Sequence, residues 1–286
     1  MELIMSLIIN GLATGMLIFL LAVGLTLIFG LMSVLNFAHG GLFAWGAYAG
    51  VWTYALTESF IAGIAGAIIT GLLLGWITEK LVIKPVYGNH VQQILITLGY
   101  MLVLSELIKV VFGPNQIAVS PPELLKGSWE IGELLIIKYR AFLIITGFIL
   151  FGIISYILKN TKIGLIVRAG VINKEMIQSL GVNINKVFLY VFMAGAALAA
   201  FSGMLIAPYA GVIHADMGME YAILAFIVVV IGGMGNVTGS MMAAVLVGVL
   251  GSFTAYYVPD ISLAANMLLM AIVLIFRPKG LFTIKE

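Results

Sequence analysis

The sequence predicts an all-α fold: a polytopic transmembrane helical bundle of about eight to nine membrane segments. Three observations carry that expectation. Of 286 residues, 63% are hydrophobic and only 9% are charged, too few charges to cover a soluble surface. Apolar stretches near the ~20 residues needed to cross a bilayer recur along the whole length. They lack the short alternating pattern of a transmembrane barrel. The chain has no cysteine, which excludes disulfides and thiolate metal sites.

In chain order the membrane segments are expected at 3–31, 41–57, 60–78, 92–112, 140–158, 187–208, 221–235, 238–257 and 262–276. The first lacks a basic leader and is too long for a signal peptide, so it reads as a true span. The segment 221–235 is short before its glycines and reads as re-entrant or spanning. The loops are too short to fold alone. One membrane domain, 1–286, is therefore expected, with a polar interval at 159–187.

Charge orients the segments. Between 159 and 186 five basic residues (Lys159, Lys162, Arg168, Lys174, Lys186) face one acid, Glu175. That loop is expected in the cytoplasm, together with 79–91 (Lys80 and Lys84) and the tail (Arg277, Lys279 and Lys285). The 113–140 interval balances Glu123, Glu130 and Glu133 against Lys126, Lys138 and Arg140, and 209–220 holds Asp216 and Glu220 without a base. Both are expected outside. The N-terminus is then outside and the C-terminus inside, in a cell inner (plasma) membrane.

Two breaks interrupt the apolar pattern. One is Asn36, Phe37, Ala38, His39, Gly40 and Gly41; the other runs from Gly232 and Gly233 through Gly235 and Asn236 to Gly239. Freed backbone groups in hydrocarbon must be satisfied by protein or water. Short glycine-interrupted segments in both halves of a transporter point to the substrate path. Asn36, His39, Gly40, Gly41, Gly232, Gly233, Gly235 and Asn236 are therefore the substrate-path candidates. The alternative at each place is a tight turn that uses glycine geometry. Glu106 and Lys109 lie one turn apart and can pair on one helix face.

Several chemistries have no signature here. No GxxxxGK[ST] phosphate loop, HExxH or nucleophile elbow occurs, so ATP hydrolysis or other catalysis in this chain is not expected. No catalytic or metal-ligating residues are assigned. The solute path would be lined by backbone, hydroxyls, amides and apolar side chains, which suits a small solute with an apolar part. An independent secondary transporter or channel is the alternative, with Glu106 as its one plausible coupling acid. A membrane enzyme using His39, His90 or His214 is a third reading, disfavoured because the histidines are scattered.

GLTLIFGLMSVLNFAHGGLFAWGAY at 24–48 resembles the N-terminal hallmark of the permease subunits of branched-chain amino-acid ABC importers, of the LivH-like type. TKIGLIVRAGVINKEMIQSLGVNINKVF at 161–188 resembles their cytoplasmic coupling region, the stretch from Ala194 to Ser240 their C-terminal core, and FRPKGLF at 276–282 their closing motif. The general coupling motif has Glu, two alanines, three residues and then Gly. Glu175 and Gly181 keep that spacing, while Met176 and Ile177 replace the alanines. The resemblance implies ATPase coupling through Arg168, Glu175, Met176, Ile177 and Gly181. It also implies a related second permease, two cytoplasmic ATPase subunits and an extracellular solute-binding protein. ATP and Mg would sit on the partners, with no cofactor in this chain, membrane lipid around it and no nucleic acid. Leucine, isoleucine and valine are the default solutes, with urea or other amides among relatives.

Overall fold

The computed structural model describes residues 2–132, 134–172 and 174–282. Its helices are α1 (Glu2–Met32), α2 (His39–Thr57), α3 (Phe60–Thr78), α4 (His90–Phe112), α5 (Lys138–Asn160), α6 (Lys162–Ile172), α7 (Lys174–Ser179), α8 (Ile184–Ala210), α9 (Met217–Gly232), α10 (Val237–Tyr257) and α11 (Ser262–Phe276). Six of them are long and apolar enough to cross a membrane, and α9 and α11 are shorter apolar helices. The protein is a helical, multi-pass membrane protein.

Two small antiparallel sheets interrupt the all-helical expectation. Strands β1 (Ile117–Ala118) and β4 (Val212–Ile213) pair with Ile117 opposite Ile213, and β2 (Ser128–Ile131) forms a hairpin with β3 (Leu134–Ile137). Prolines 114, 121 and 122 disfavour an α-helix in the first half of the long loop after α4, where a single 3-10 turn forms at Glu123–Leu125. Elsewhere in the loop short stretches pair as strands.

Helix α1 is the axis of the bundle. It is apolar on every side, and most of its length is buried, as expected of a helix enclosed by others. Small residues let its neighbours approach to backbone contact. A Cβ at Gly11 would sit 2.6 Å from the Val249 Cα, and one at Gly15 would sit 2.6 Å from the Ala244 carbonyl oxygen. On the other side Gly24 meets the Gly195 carbonyl of α8 at 2.5 Å in the same sense. Hydrogen bonds cross these contacts. Ser202 donates to the Leu17 carbonyl at 2.9 Å, Ser252 to Leu7 at 2.8 Å, and the Thr26 and Ser240 hydroxyls lie 2.7 Å apart. Such bonds are worth on average about 0.6 kcal/mol each in membranes.

Helices α2, α3 and α8 form a second close-packed group. A Cβ at Gly203 would lie 2.0 Å from the Phe43 carbonyl oxygen, and one at Gly46 would lie 2.2 Å from the Ala200 Cα. Ser59 caps α3 by accepting from the Ala62 amide. The helix then widens over Glu79–Ile83 before Pro85 ends it. There Glu79 is buried and accepts a 2.7 Å hydrogen bond from Tyr87. Burial first, then the Glu79 carboxylate, pushes the Tyr87 phenol well above its usual range. Helix α4 buries one stripe, Gln93, Thr97, Met101, Leu104, Ser105 and Ile108, and leaves most of its opposite face exposed.

The loops segregate to two ends. At the basic end Met32, Ser33, Tyr87, His90 and Phe188 line one cavity, and Gly235 packs on Gly30. At the other end β1 pairs with β4, and Lys109 bridges Glu106 at 2.8 Å and Asp216 at 3.2 Å. The expected Glu106–Lys109 pair is thus a three-member tie between α4 and the start of α9. The segment expected at 221–235 does not turn back on itself. Helix α9 runs from this tie to the contact with the α1 terminus at the basic end.

Gly203→Val should cost about 1–3 kcal/mol by overpacking, read from denaturant unfolding in mixed micelles. Gly152→Ala, at a glycine with open space around it, should cost nothing. Equal stability of both variants would remove the close-approach account of this interface.

Candidate translocation and coupling sites

The first sequence break is a buried, non-helical return. After Met32 the chain leaves α1, and residues 33–38 run back into the protein before α2 starts. Asn36, Ala38 and His39 are buried. The His39 Nε2 lies 3.1 Å from the Leu21 carbonyl, a group that can only accept, so Nε2 carries the hydrogen. The Phe37 amide donates to Thr97 at 3.3 Å. Helix α2 therefore begins beside the middle of α1, not at its end.

Helix α9 begins from the opposite end. Ile213, Ala215 and Met217 turn into the bundle there, while the N-cap Asp216 stays exposed. The two helix starts meet. A Cβ at Gly40 would sit 2.1 Å from the Gly218 carbonyl, and one at Gly218 would sit 2.5 Å from the Gly40 carbonyl. Phe43 packs against Tyr221 with ring centres 5.1 Å apart, and Phe37 stacks on Phe226 at 5.7 Å. Gly40 also faces Ala222 and Gly218 faces Ala44, so with Phe37 on Phe226 the two helices run antiparallel. Helices broken at depth and pointing their N-termini inward are the form that solute sites take in several transporter folds.

Beside this junction lies a small cavity lined by Asn36, His39, Ala222, Phe226 and Met234. Its volume is ≈ 20 Å³, room for about one water. Asn36 Oδ1, Asn36 Nδ2 and His39 Nδ1 have no hydrogen-bond partner among the described residues. Each unmet buried polar group costs about 1–3 kcal/mol. Gly41 packs on Leu104 and does not line the cavity.

The second break is a tight turn at the basic end. Gly233 and Gly235 have φ of 92° and 86°, values that favour glycine. A Cβ at Gly239 would lie 1.9 Å from the Gly232 carbonyl. Asn236 caps α10 by accepting from the Gly239 amide at 3.0 Å, and its Nδ2 donates to the Phe282 carbonyl. The Leu281 amide bonds to Ile231 at 2.8 Å. The closing motif thus clamps this turn. Gly232, Gly233, Gly235 and Asn236 are drawn together there, with Met234 alone reaching the cavity beside Asn36.

In the basic interval α6 sits across the end of α1. A Cβ at Gly170 would meet the Leu31 Cδ1 at 2.7 Å. Val167 and Ile177 are buried, whereas Ile163, Leu165 and Leu180 are 66%, 60% and 76% exposed. Ile177 therefore anchors α7 to the bundle, and the exposed apolar side chains are its neighbours. Arg168 is exposed and donates to the Lys159 carbonyl at 3.3 Å. Glu175 and Met176 fall within the α7 backbone; their side chains lie outside the described residues. Gly181, with φ of 83°, ends the turn after α7.

The family described as branched-chain amino acid transport system, permease component, matches residues 7–277. The chain belongs to that permease family. LivH, the high-affinity branched-chain amino acid transport system permease protein of Salmonella typhimurium, is 28% identical over 95% of this permease and 93% of its own length. BraD of Pseudomonas aeruginosa is 29% identical over 96% and 94%. LivM, a second permease protein of the Salmonella typhimurium system, is 27% identical over 93% of this chain and 68% of its own. No solved structure matches the permease at a significant level.

Sequence reasoning singled out Asn36, His39 and Gly40 but missed Gly218, their partner across the junction. Its one signal was a glycine two residues before Glu220, inside what read as a loop. The two asparagines should respond in opposite ways. Asn236→Ala should lose about 1 kcal/mol with its helix cap. Asn36→Leu, which removes two unpaired buried atoms, should be neutral or stabilising. Thermal unfolding of both in detergent decides this, and a stability loss at Asn36 equal to that at Asn236 refutes the assignment of unmet bonds.

Proposed function

We propose that this permease is the membrane subunit of an ATP-driven importer of branched-chain or related amino acids. It works beside a related second permease, with two cytoplasmic ATPase subunits and an extracellular solute-binding protein. The observation that carries the reading is the family match over nearly the whole chain. Relatives named as permeases of branched-chain amino-acid transport support the solute class, and the pairing of LivH with LivM in one organism supports a second permease.

The chain itself performs no hydrolysis in this reading, and ATP and Mg are held by the partner subunits. Arg168, Glu175, Met176, Ile177 and Gly181 belong to the coupling region. An ATPase groove meets the exposed apolar side chains of α6 and the α7 turn. Because α6 rests on Leu31 and Ile177 is buried, a push on this region reaches the end of α1 and the 33–38 return. That return ends where α2 meets α9. Displacement there opens or closes the path past Asn36, His39, Gly40 and Gly41. The clamped turn of Gly232, Gly233, Gly235 and Asn236 holds the far end of α9 fixed. This is transmission between packed elements, driven from outside the chain.

The basic end faces the cytoplasm by the positive-inside rule, which puts the N-terminus outside. The absence of native cysteine makes that testable without background. In right-side-out vesicles, membrane-impermeant maleimide should label Gly127→Cys and leave Lys162→Cys unlabelled; the reverse pattern inverts the topology. For the coupling region, Gly181→Val forces a side chain into a left-handed turn. It should cut ATP-dependent leucine uptake by tenfold or more and release the ATPase during purification. Full uptake by this chain alone, or by a Gly181→Val assembly, would sink the reading.

A further inference from the structure

A second cavity, distinct from the α2–α9 junction, opens at the end opposite the basic loops. It measures ≈ 440 Å³ and lies between α1, the start of α5, the end of α8 and helices α9 to α11, within the size range of small-ligand sites. Its exposed rim is Ala255 and Tyr256, and its floor includes the buried Ile18 and Val247.

Its polar groups are unevenly satisfied. Arg140 is half-buried, donates to Asn10 Oδ1 and lies over the Tyr209 ring at 5.9 Å. Among the described residues no carboxylate lies within ion-pair distance of it. A partly desolvated cation is expensive to leave without a hydrogen-bonded anion or acceptor. Asn266 is 5% exposed, lines the same cavity, and its Oδ1 has no hydrogen-bond partner. Thr14 donates to the Asn10 carbonyl at 3.0 Å, so in its 2.6 Å contact with Tyr209 the phenol is the donor. The Tyr209 oxygen keeps its lone pairs. Ser252 likewise donates to Leu7 and keeps its own.

We propose that this cavity binds a small zwitterion with an aliphatic side chain, an α-amino acid, within the single permease chain. The proposal rests on the amino-acid reading above and assigns a site to it. The carboxylate pairs with the open N–H groups of Arg140, a charge-assisted contact. The ammonium is received by the Tyr209 and Ser252 oxygens and, once its buried amide turns toward the cavity, by Asn266 Oδ1, all acceptors. The side chain rests on Ile18, Leu224 and Val247. A phospholipid headgroup would satisfy Arg140 but leave that internal apolar floor unfilled.

The test is calorimetric binding to the full chain in phosphatidylcholine nanodiscs. L-leucine should bind, while isocaproate (no ammonium) and isoamylamine (no carboxylate) should each bind at least tenfold more weakly. Arg140→Gln should weaken leucine roughly tenfold to a hundredfold, the worth of a charge-assisted hydrogen bond, and Asn266→Leu should weaken it to a smaller degree. If Arg140→Gln fails to fold, Arg140→Lys and Ser252→Val carry the same comparison. No leucine binding by the wild type, equal binding by the folded variants, or stabilisation through Arg140 by phosphatidylethanolamine alone overturns the site. Uptake by the assembled system separates the two readings. Undiminished leucine import with Arg140→Gln and Asn266→Leu rejects this site and leaves the importer standing. Leucine binding by a chain whose assembly imports no leucine rejects the importer reading and keeps the site.

Discussion

The structure depends on backbone-to-backbone contact between helices at glycine. Lipid tails are as apolar as leucine, so apolar side chains alone do not drive helices together in a membrane. Gly11 and Gly15 against α10, Gly24 against Gly195, and Gly203 against Phe43 remove the side-chain layer that would hold these helices apart. Once backbones touch, short hydroxyls reach carbonyls across the gap, as Ser202 does to Leu17 and Ser252 to Leu7. The dispersion contacts and the hydrogen bonds therefore have one cause.

The same closeness makes the two buried helix starts tolerable. The 33–38 return puts irregular backbone at depth, which survives in a membrane only when enclosed by protein. Gly40 and Gly218 let the two starts press together, and Phe37–Phe226 and Phe43–Tyr221 seal either side. Where the chain turns back after α1, Asn36 and His39 keep buried polar atoms without a hydrogen-bond partner among the described residues. By contrast, the Gly232–Gly239 turn meets its needs with Asn236 and the closing motif, which suits an anchor.

Much of the helical layout was legible because apolar length is a local property. The segment from 60 to 78 and the segment from 262 to 276 coincide with α3 and α11, since Ser59 caps the first and Pro259 precedes the second. The Glu106–Lys109 pair was legible from its spacing, but not the third member, Asp216, which is brought in only when α9 folds back. Ile177 shows the limit most clearly. The resemblance placed it in the coupling motif, toward a partner, and burial against the bundle sends it inward. The strands after α4 were missed because two-residue and four-residue ladders leave too short a pattern.

Composition and segment length determined the class and the sorting of loops by charge, because each is a sum over neighbouring residues; of the eight to nine membrane segments expected, six are helices long and apolar enough to cross a membrane. Motif order along the chain determined the family. Depth was decided by tertiary structure alone. Whether Asn36 sits in a surface turn or inside the bundle depends on where α2 begins relative to Leu21 of α1, a contact between residues far apart in sequence. The meeting of Gly40 with Gly218, and the gathering of Arg140, Tyr209 and Asn266 around one cavity, were decided in the same way. Each needs several helices to be packed before the residues become neighbours.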